Sequence, residues 1–98
     1  MIKDITHAGV KTPVQKLIEE TCDSIKELLV EKNRKYGDSA VKPVRIFSKS
    51  DNLEQIRVRI DDKLNRLINQ QNDEDEDVIN DLIGYLILYK VADRHNKL

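Results

Sequence analysis

Apolar side chains recur along this chain at intervals of three and four residues in three separate stretches, the period at which an α-helix presents one face. The first stretch is Val14, Leu17, Ile18, Thr21, Ile25, Leu28 and Leu29. Thr12-Pro13-Val14-Gln15 stands at its start. Thr12 can accept from the first turn, Pro13 occupies a position that needs no N–H, and Gln15 can reach back to close a capping box. Tyr36-Gly37 ends the stretch, glycine being free to take the left-handed backbone that stops a helix. This pattern predicts a helix over 13–35.

The second stretch, Leu53, Ile56, Ile60, Leu64, Leu67 and Ile68, follows the capping-box sequence Asp51-Asn52-Leu53-Glu54 and predicts a helix to about Asn69. Residues Ile56 to Ile60 also alternate with period two, so a short strand is the local alternative; the uninterrupted continuation DDKLNRLI favours helix. A third helix is expected from about Asp75 to Ala92, with Ile79, Leu82, Ile83, Leu86 and Ile87 inward. Lys90, Arg94 and His95 near its end suit the negative pole of the helix dipole.

Three helices, few glycines and prolines, and an aliphatic core with no tryptophan make the expected fold all-α. A length of 98 residues is one domain, read as a flexible arm over 1–11 and a single helical domain over 12–98. Three helices make a thin bundle, so a homo-oligomer that completes four-helix packing is expected, with sites between subunits. The longest apolar run, Tyr85 to Tyr89, is far short of the roughly 18 residues of a membrane span. The start MIKDITHAG carries no apolar targeting core. With a lone cysteine, Cys22, there is no internal disulfide and no thiolate zinc site, and the residue reads as a small packing side chain. The expected location is the cytoplasm.

Lys and Arg (17) nearly cancel Asp and Glu (18), which argues against a chain that coats long nucleic acid, yet the signs are segregated. Between 32 and 49 lie Lys32, Arg34, Lys35, Lys42, Arg45 and Lys49 with one acid, Asp38. This segment is either a solvated connector or an anion site built from converging donors. Five acids, Asp73 to Asp77, fall where the third helix begins and match its dipole.

Asp77 and Asp81 share a helix face one turn apart, and Asp81 sits among Ile79, Leu82 and Ile83, where a carboxylate risks desolvation unless partnered. Its candidate partners are a metal ion, or Lys63 and Arg66 from the second helix, whose row Arg59, Asp62, Lys63, Arg66 has the same spacing. Asp62, Asp77 and Asp81, joined by Glu27 and Glu31 one turn apart on the first helix, fit a hard cation such as Mg²⁺ or Mn²⁺. An interhelical salt-bridge network is the alternative. His7 and His95 have no ligand spacing, and no nucleophile motif or glycine-rich phosphate loop is present.

Three blocks carry a resemblance: Lys32-Asn33-Arg34-Lys35-Tyr36-Gly37-Asp38-Ser39, Arg59-Ile60-Asp61-Asp62-Lys63-Leu64-Asn65-Arg66-Leu67, and Asp77-Val78-Ile79-Asn80-Asp81-Leu82-Ile83-Gly84-Tyr85. In order and separation they resemble the successive signatures of the nucleotide modification associated domain 1 family of bacteriophages and bacteria. That family is similar to the all-α, MazG-like nucleotide pyrophosphohydrolases. The resemblance spans roughly residues 27–91. It implies a helical protein that binds nucleotides, with Mg²⁺ held by helix carboxylates. Asp77 and Asp81 would be acids on the metal side, and Asp62 would bind metal or orient a ligand, with Asp62 and Asp81 as the catalytic pair. Arg59, Lys63 and Arg66 would meet phosphate or hold those acids, Lys32 and Asn33 would bind substrate, and Tyr36 and Tyr85 would line a base pocket. Where MazG-like enzymes carry a Glu-x-x-Glu and a Glu-x-x-Asp pair, this chain has Glu20-x-x-Asp23 and Val78. Three readings follow: a Mg²⁺-dependent nucleoside triphosphate pyrophosphohydrolase, a nucleotide-binding protein without turnover, and a structural helical interaction protein.

Overall fold

A computed structural model of the chain describes residues 9–69 and 77–98. The protein is all-α, with three helices among the described residues: α1 (Pro13–Tyr36), α2 (Asn52–Ile68) and α3 (Val78–Asn96). The Thr12 capping box closes as expected: Thr12 Oγ1 accepts from the Gln15 N–H at 3.1 Å, and the Thr12 N–H donates to Gln15 Oε1 at 2.9 Å. At α2 only half of the box forms. Asp51 accepts from the Glu54 N–H at 2.7 Å, but the Glu54 carboxylate turns outward to Arg57 at 3.1 Å. The residues 56–60 that also fit a strand lie inside α2. The expected start of α3 at Asp75 falls outside the described residues; the helix runs from Val78, capped by Asp77, and continues four residues past Ala92 to Asn96.

Helix α2 packs along α3, and α1 touches α3 without packing on α2. The α2–α3 seam holds the buried Ile56, Val78 and Ala92, and Arg57 reaches across it to the Tyr89 hydroxyl at 2.5 Å while lying over the ring, 5.3 Å from its centre. Glu54 and Tyr89 together raise the pKa of the Arg57 guanidinium.

The inward faces differ from the sequence expectation in all three helices: the end of the α2 stretch, Leu64, Leu67 and Ile68, is exposed, and α1 and α3 depart further. Of the seven positions in the first stretch, only Ile25 is buried and Leu29 half-buried; residues 13–24 are exposed throughout. Cys22 is exposed with them rather than packed. A 24-residue helix is about 36 Å long and outruns the element it leans on. On α3 the buried positions are Val78, Gly84 and Ala92, whereas Ile79, Leu86 and Ile87 face outward and Leu82 and Ile83 are half-buried. Apolar residues surround α3 on nearly all sides, so periodicity alone could not tell which side meets α2. Gly84 marks the close approach to α1, since a Cβ there would stand 3.3 Å from Leu29 Cδ2.

The six-cation segment divides between two elements. Lys32, Arg34 and Lys35 end α1, and Lys42, Arg45 and Lys49 belong to the connector to α2. Asn52, buried at the start of α2, fastens that connector. Its Nδ2 donates to the Val41 carbonyl at 2.8 Å and to Asn96 Oδ1 at 3.0 Å, while its Oδ1 accepts from Asn96 Nδ2 at 3.0 Å. No described helix is long and apolar enough to cross a membrane. The flexible arm expected over residues 1–11 lies largely outside the described residues.

Candidate functional site

Where the C-terminal half of α1 meets α3, the two helices and the turn after α1 enclose a half-open cavity of about 260 Å³. Its floor is aliphatic, from Ile25, Leu28, Leu29 and Leu88, and its rim is polar, from Lys32, Asn33, Asp38, Ser39, Asn80 and Asp81. Tyr36 of α1 and Tyr85 of α3 also line it. An apolar floor with a few convergent polar groups is the usual make-up of a small-molecule site, and the volume is just below the common range of about 300–1,000 Å³. It suits part of a ligand, with the remainder in solvent.

The wall after α1 is set by glycine. Gly37 has φ +70° and ψ −160°, a region nearly closed to residues with a Cβ, and its N–H donates to the Asn33 carbonyl at 2.7 Å. Asn33 Nδ2 then donates to the Gly37 carbonyl at 3.2 Å and to Asp38 Oδ1 at 2.8 Å, and Asp38 accepts from the Val41 and Lys42 N–H groups through its carbonyl. Asn33 thus acts first by shaping the wall. Gly37→Ala should cost about 1–3 kcal/mol from backbone strain alone, since no atom lies within 4 Å of the added Cβ. Thermal denaturation should show the loss, and substitution of Ser39 beside it should not.

Asp81 comes to the cavity from α3 and is held from behind. Lys63 of α2 meets its Oδ2 at 3.1 Å, with side-chain exposures of 12% and 25%. The ion pair proposed from the sequence as Asp81's alternative to a metal is therefore present, and it leaves Asp81 on the cavity rim. The other acids serve elsewhere. Asp77 caps α3, accepting from the Asn80 N–H at 2.9 Å. Asp62 pairs with Arg66 at 3.6 Å. Glu31 receives two hydrogen bonds from Arg34, at 2.9 and 2.5 Å, and that guanidinium holds the Glu31 carboxyl below the usual carboxylate range. Glu27 is exposed on α1, away from the cavity lining. Among the described residues no three of His, Cys, Asp and Glu converge as a metal cage. Mg²⁺, however, is commonly held by one or two carboxylates together with substrate phosphates. Asp81 and Asp38 on the rim fit that limited role.

Of the substrate-binding candidates, Lys32, Asn33, Tyr36 and Tyr85 line the cavity with Asp81, while Arg59, Lys63 and Arg66 do not. Asp38, Ser39 and Asn80 join them and were not singled out beforehand, although Asp38 and Ser39 lie in the first block of the resemblance. Asn52 gave no signal, since an asparagine after an N-cap aspartate is an ordinary sight at a helix start. Compared with known proteins, the chain matches no family model, no curated protein and no solved structure.

Proposed function

We propose that the chain is a Mg²⁺-dependent nucleotide-binding protein of phage or bacterial nucleotide metabolism, acting as a homo-oligomer. The observation that carries this is the cavity between α1 and α3, which two tyrosines, aliphatic side chains, a lysine and a carboxylate line together. The nucleobase enters over the floor between Tyr36 and Tyr85, since a ring with two flat apolar faces gains from aromatic neighbours. The phosphates stay at the lip, where Lys32 is exposed and Lys35 and Lys42 are close in sequence to lining residues. Asp81, with Asp38, would hold a Mg²⁺ ion there, which would offset phosphate charge. Lys63 fixes the Asp81 carboxylate rather than meeting phosphate. The three-block resemblance supports the same ligand class.

Two forms of this reading differ in turnover: a MazG-like nucleoside triphosphate pyrophosphohydrolase, and a protein that sequesters or senses a nucleotide. The second is favoured by the occupations of the described acids, since Asp62, Asp77 and Glu31 have partners of their own away from the cavity. Incubation with the common NTPs and dNTPs and Mg²⁺, read as pyrophosphate release, separates the two. Binding without release is expected; release by the wild type that disappears in Asp81→Asn establishes the hydrolase.

A further inference from the structure

The exposed row on α1 is the same face that packs on α3 further along. Residues 25–36 use it to build the cavity wall, and residues 13–24 carry it on as an overhang about 18 Å long. Val14, Leu17 and Ile18 lie on that overhang at 64%, 61% and 56% exposure, and Leu28 borders it, also exposed. An amphipathic helix gains little stability in water without burying its apolar stripe. Helix α3 has the complementary excess: it is apolar nearly all round yet leaves Ile79, Leu86, Ile87 and Val91 exposed.

The accessible surface of the chain is 8294 Å². A compact monomer of 11.4 kDa exposes about 5,800 Å². The excess is about 2,500 Å² over the whole chain, and the exposed apolar faces of α1 and α3 are part of it; a stable dimer buries roughly 800 Å² per partner. The radius of gyration, 17.7 Å, likewise exceeds the roughly 13 Å of a compact chain this long. Residues 1–8 offer only Met1, Ile2 and Ile5 as large apolar side chains, and 70–76 (QQNDEDE) offer none, so the chain's remaining segments hold too little to cover both faces. A second copy carries both faces again.

We infer that the α1 overhang, Pro13 to Ser24, is the self-association surface of this protein, and that its occupant is a second copy of the same chain. A closed two-fold pair buries both overhangs at once. This specifies the homo-oligomeric part of the reading above and does not depend on the nucleotide part. It also gives α1 two roles, with the wall of the cavity continuous with the subunit contact.

The test is sedimentation equilibrium at tens of micromolar, without nucleotide. The wild type should show twice the chain mass of 11.4 kDa. The Leu17→Glu/Ile18→Lys variant should sediment as a monomer while keeping its helical circular dichroism. A chain lacking residues 1–8 should remain a dimer. A monomeric wild type overturns the inference, as does a double variant that still dimerises. So does association that appears only when residues 1–8 are removed, which makes the chain's own arm the occupant. Nucleotide binding by a monomer would overturn this inference alone, and a dimer that binds no nucleotide would overturn the ligand reading alone.

Discussion

Asn52→Ala is expected to lower stability by about 2 kcal/mol. The side chain is 5% exposed and joins three parts of the molecule: the Val41 carbonyl, the start of α2 through the Leu53 N–H, and Asn96 at the end of α3. Alanine removes all of these bonds. A buried donor or acceptor left without a partner costs about 1–3 kcal/mol; Val41 is half-buried and Asn96 exposed, so water takes up part of what their carbonyl and amide lose. For a domain of this size the melting temperature should fall by about 8–16 °C. Val41 and Ala40 are also cavity residues, so loosening the connector moves a wall of the site. The variant should therefore bind ligand more weakly even at temperatures where it remains folded. Asn52→Asp is a sharper control, since aspartate retains the acceptor for Leu53 and cannot donate to Val41. A melting point within about 3 °C of wild type for Asn52→Ala would show that the Asn52 bonds are replaced by water at little cost.

The second large effect is expected at the ion pair between α2 and α3. Lys63→Met keeps the aliphatic stem and removes the charge, leaving the Asp81 carboxylate, three-quarters covered, without its 3.1 Å cation. Removing one partner of a fully buried pair costs about 3–5 kcal/mol, and the residual exposure here reduces that to about 2 kcal/mol. Adding Asp81→Leu should restore most of the loss, because two apolar side chains in contact replace a stranded charge. Urea unfolding of the wild type, both single variants and the double variant closes the cycle. A coupling free energy near zero would mean that Lys63 and Asp81 do not share a stabilising contact. The cycle also bears on function. In Lys63→Met the carboxylate is free to move, so Mg²⁺-nucleotide binding should weaken although Lys63 lies outside the cavity lining.

The three helices were legible because each carries a start signal and a 3, 4 apolar rhythm; Thr12-Pro13 and the Tyr36-Gly37 stop placed α1 to within a residue. Orientation was less legible, for different reasons in each helix. The α1 stripe was read as core, and it is a core face along 25–36 but an overhang along 13–24, a distinction that depends on the lengths of its neighbours. In α3 leucines and isoleucines occupy nearly every direction, so the row that meets α2 is marked by Asp81 and Tyr89 rather than by hydrophobicity. At the site, the chemistry of Asp81 was readable because a carboxylate among isoleucines demands a partner, and Lys63 at the matching register supplies it. Asp62 and Asp77 looked equivalent to Asp81 as sequence positions. Geometry separates them: a helix-capping aspartate and an i, i+4 partner of arginine use the same side chain for local purposes. The connector's hold on α3 through Asn52 and Asn96 joins residues 44 positions apart, a pairing no local pattern announces.

The central claim is that the cavity between α1 and α3 takes a nucleotide with Mg²⁺, and calorimetric titration of the common NTPs and dNTPs into the wild type and Lys32→Ala tests it most directly. Saturable 1:1 heat is expected for at least one nucleotide with the wild type. Affinity should be weaker by about tenfold in Lys32→Ala, the loss of one charge-assisted contact to phosphate. The absence of binding by every nucleotide in the presence of Mg²⁺, or binding that Lys32→Ala leaves unchanged, would contradict the account.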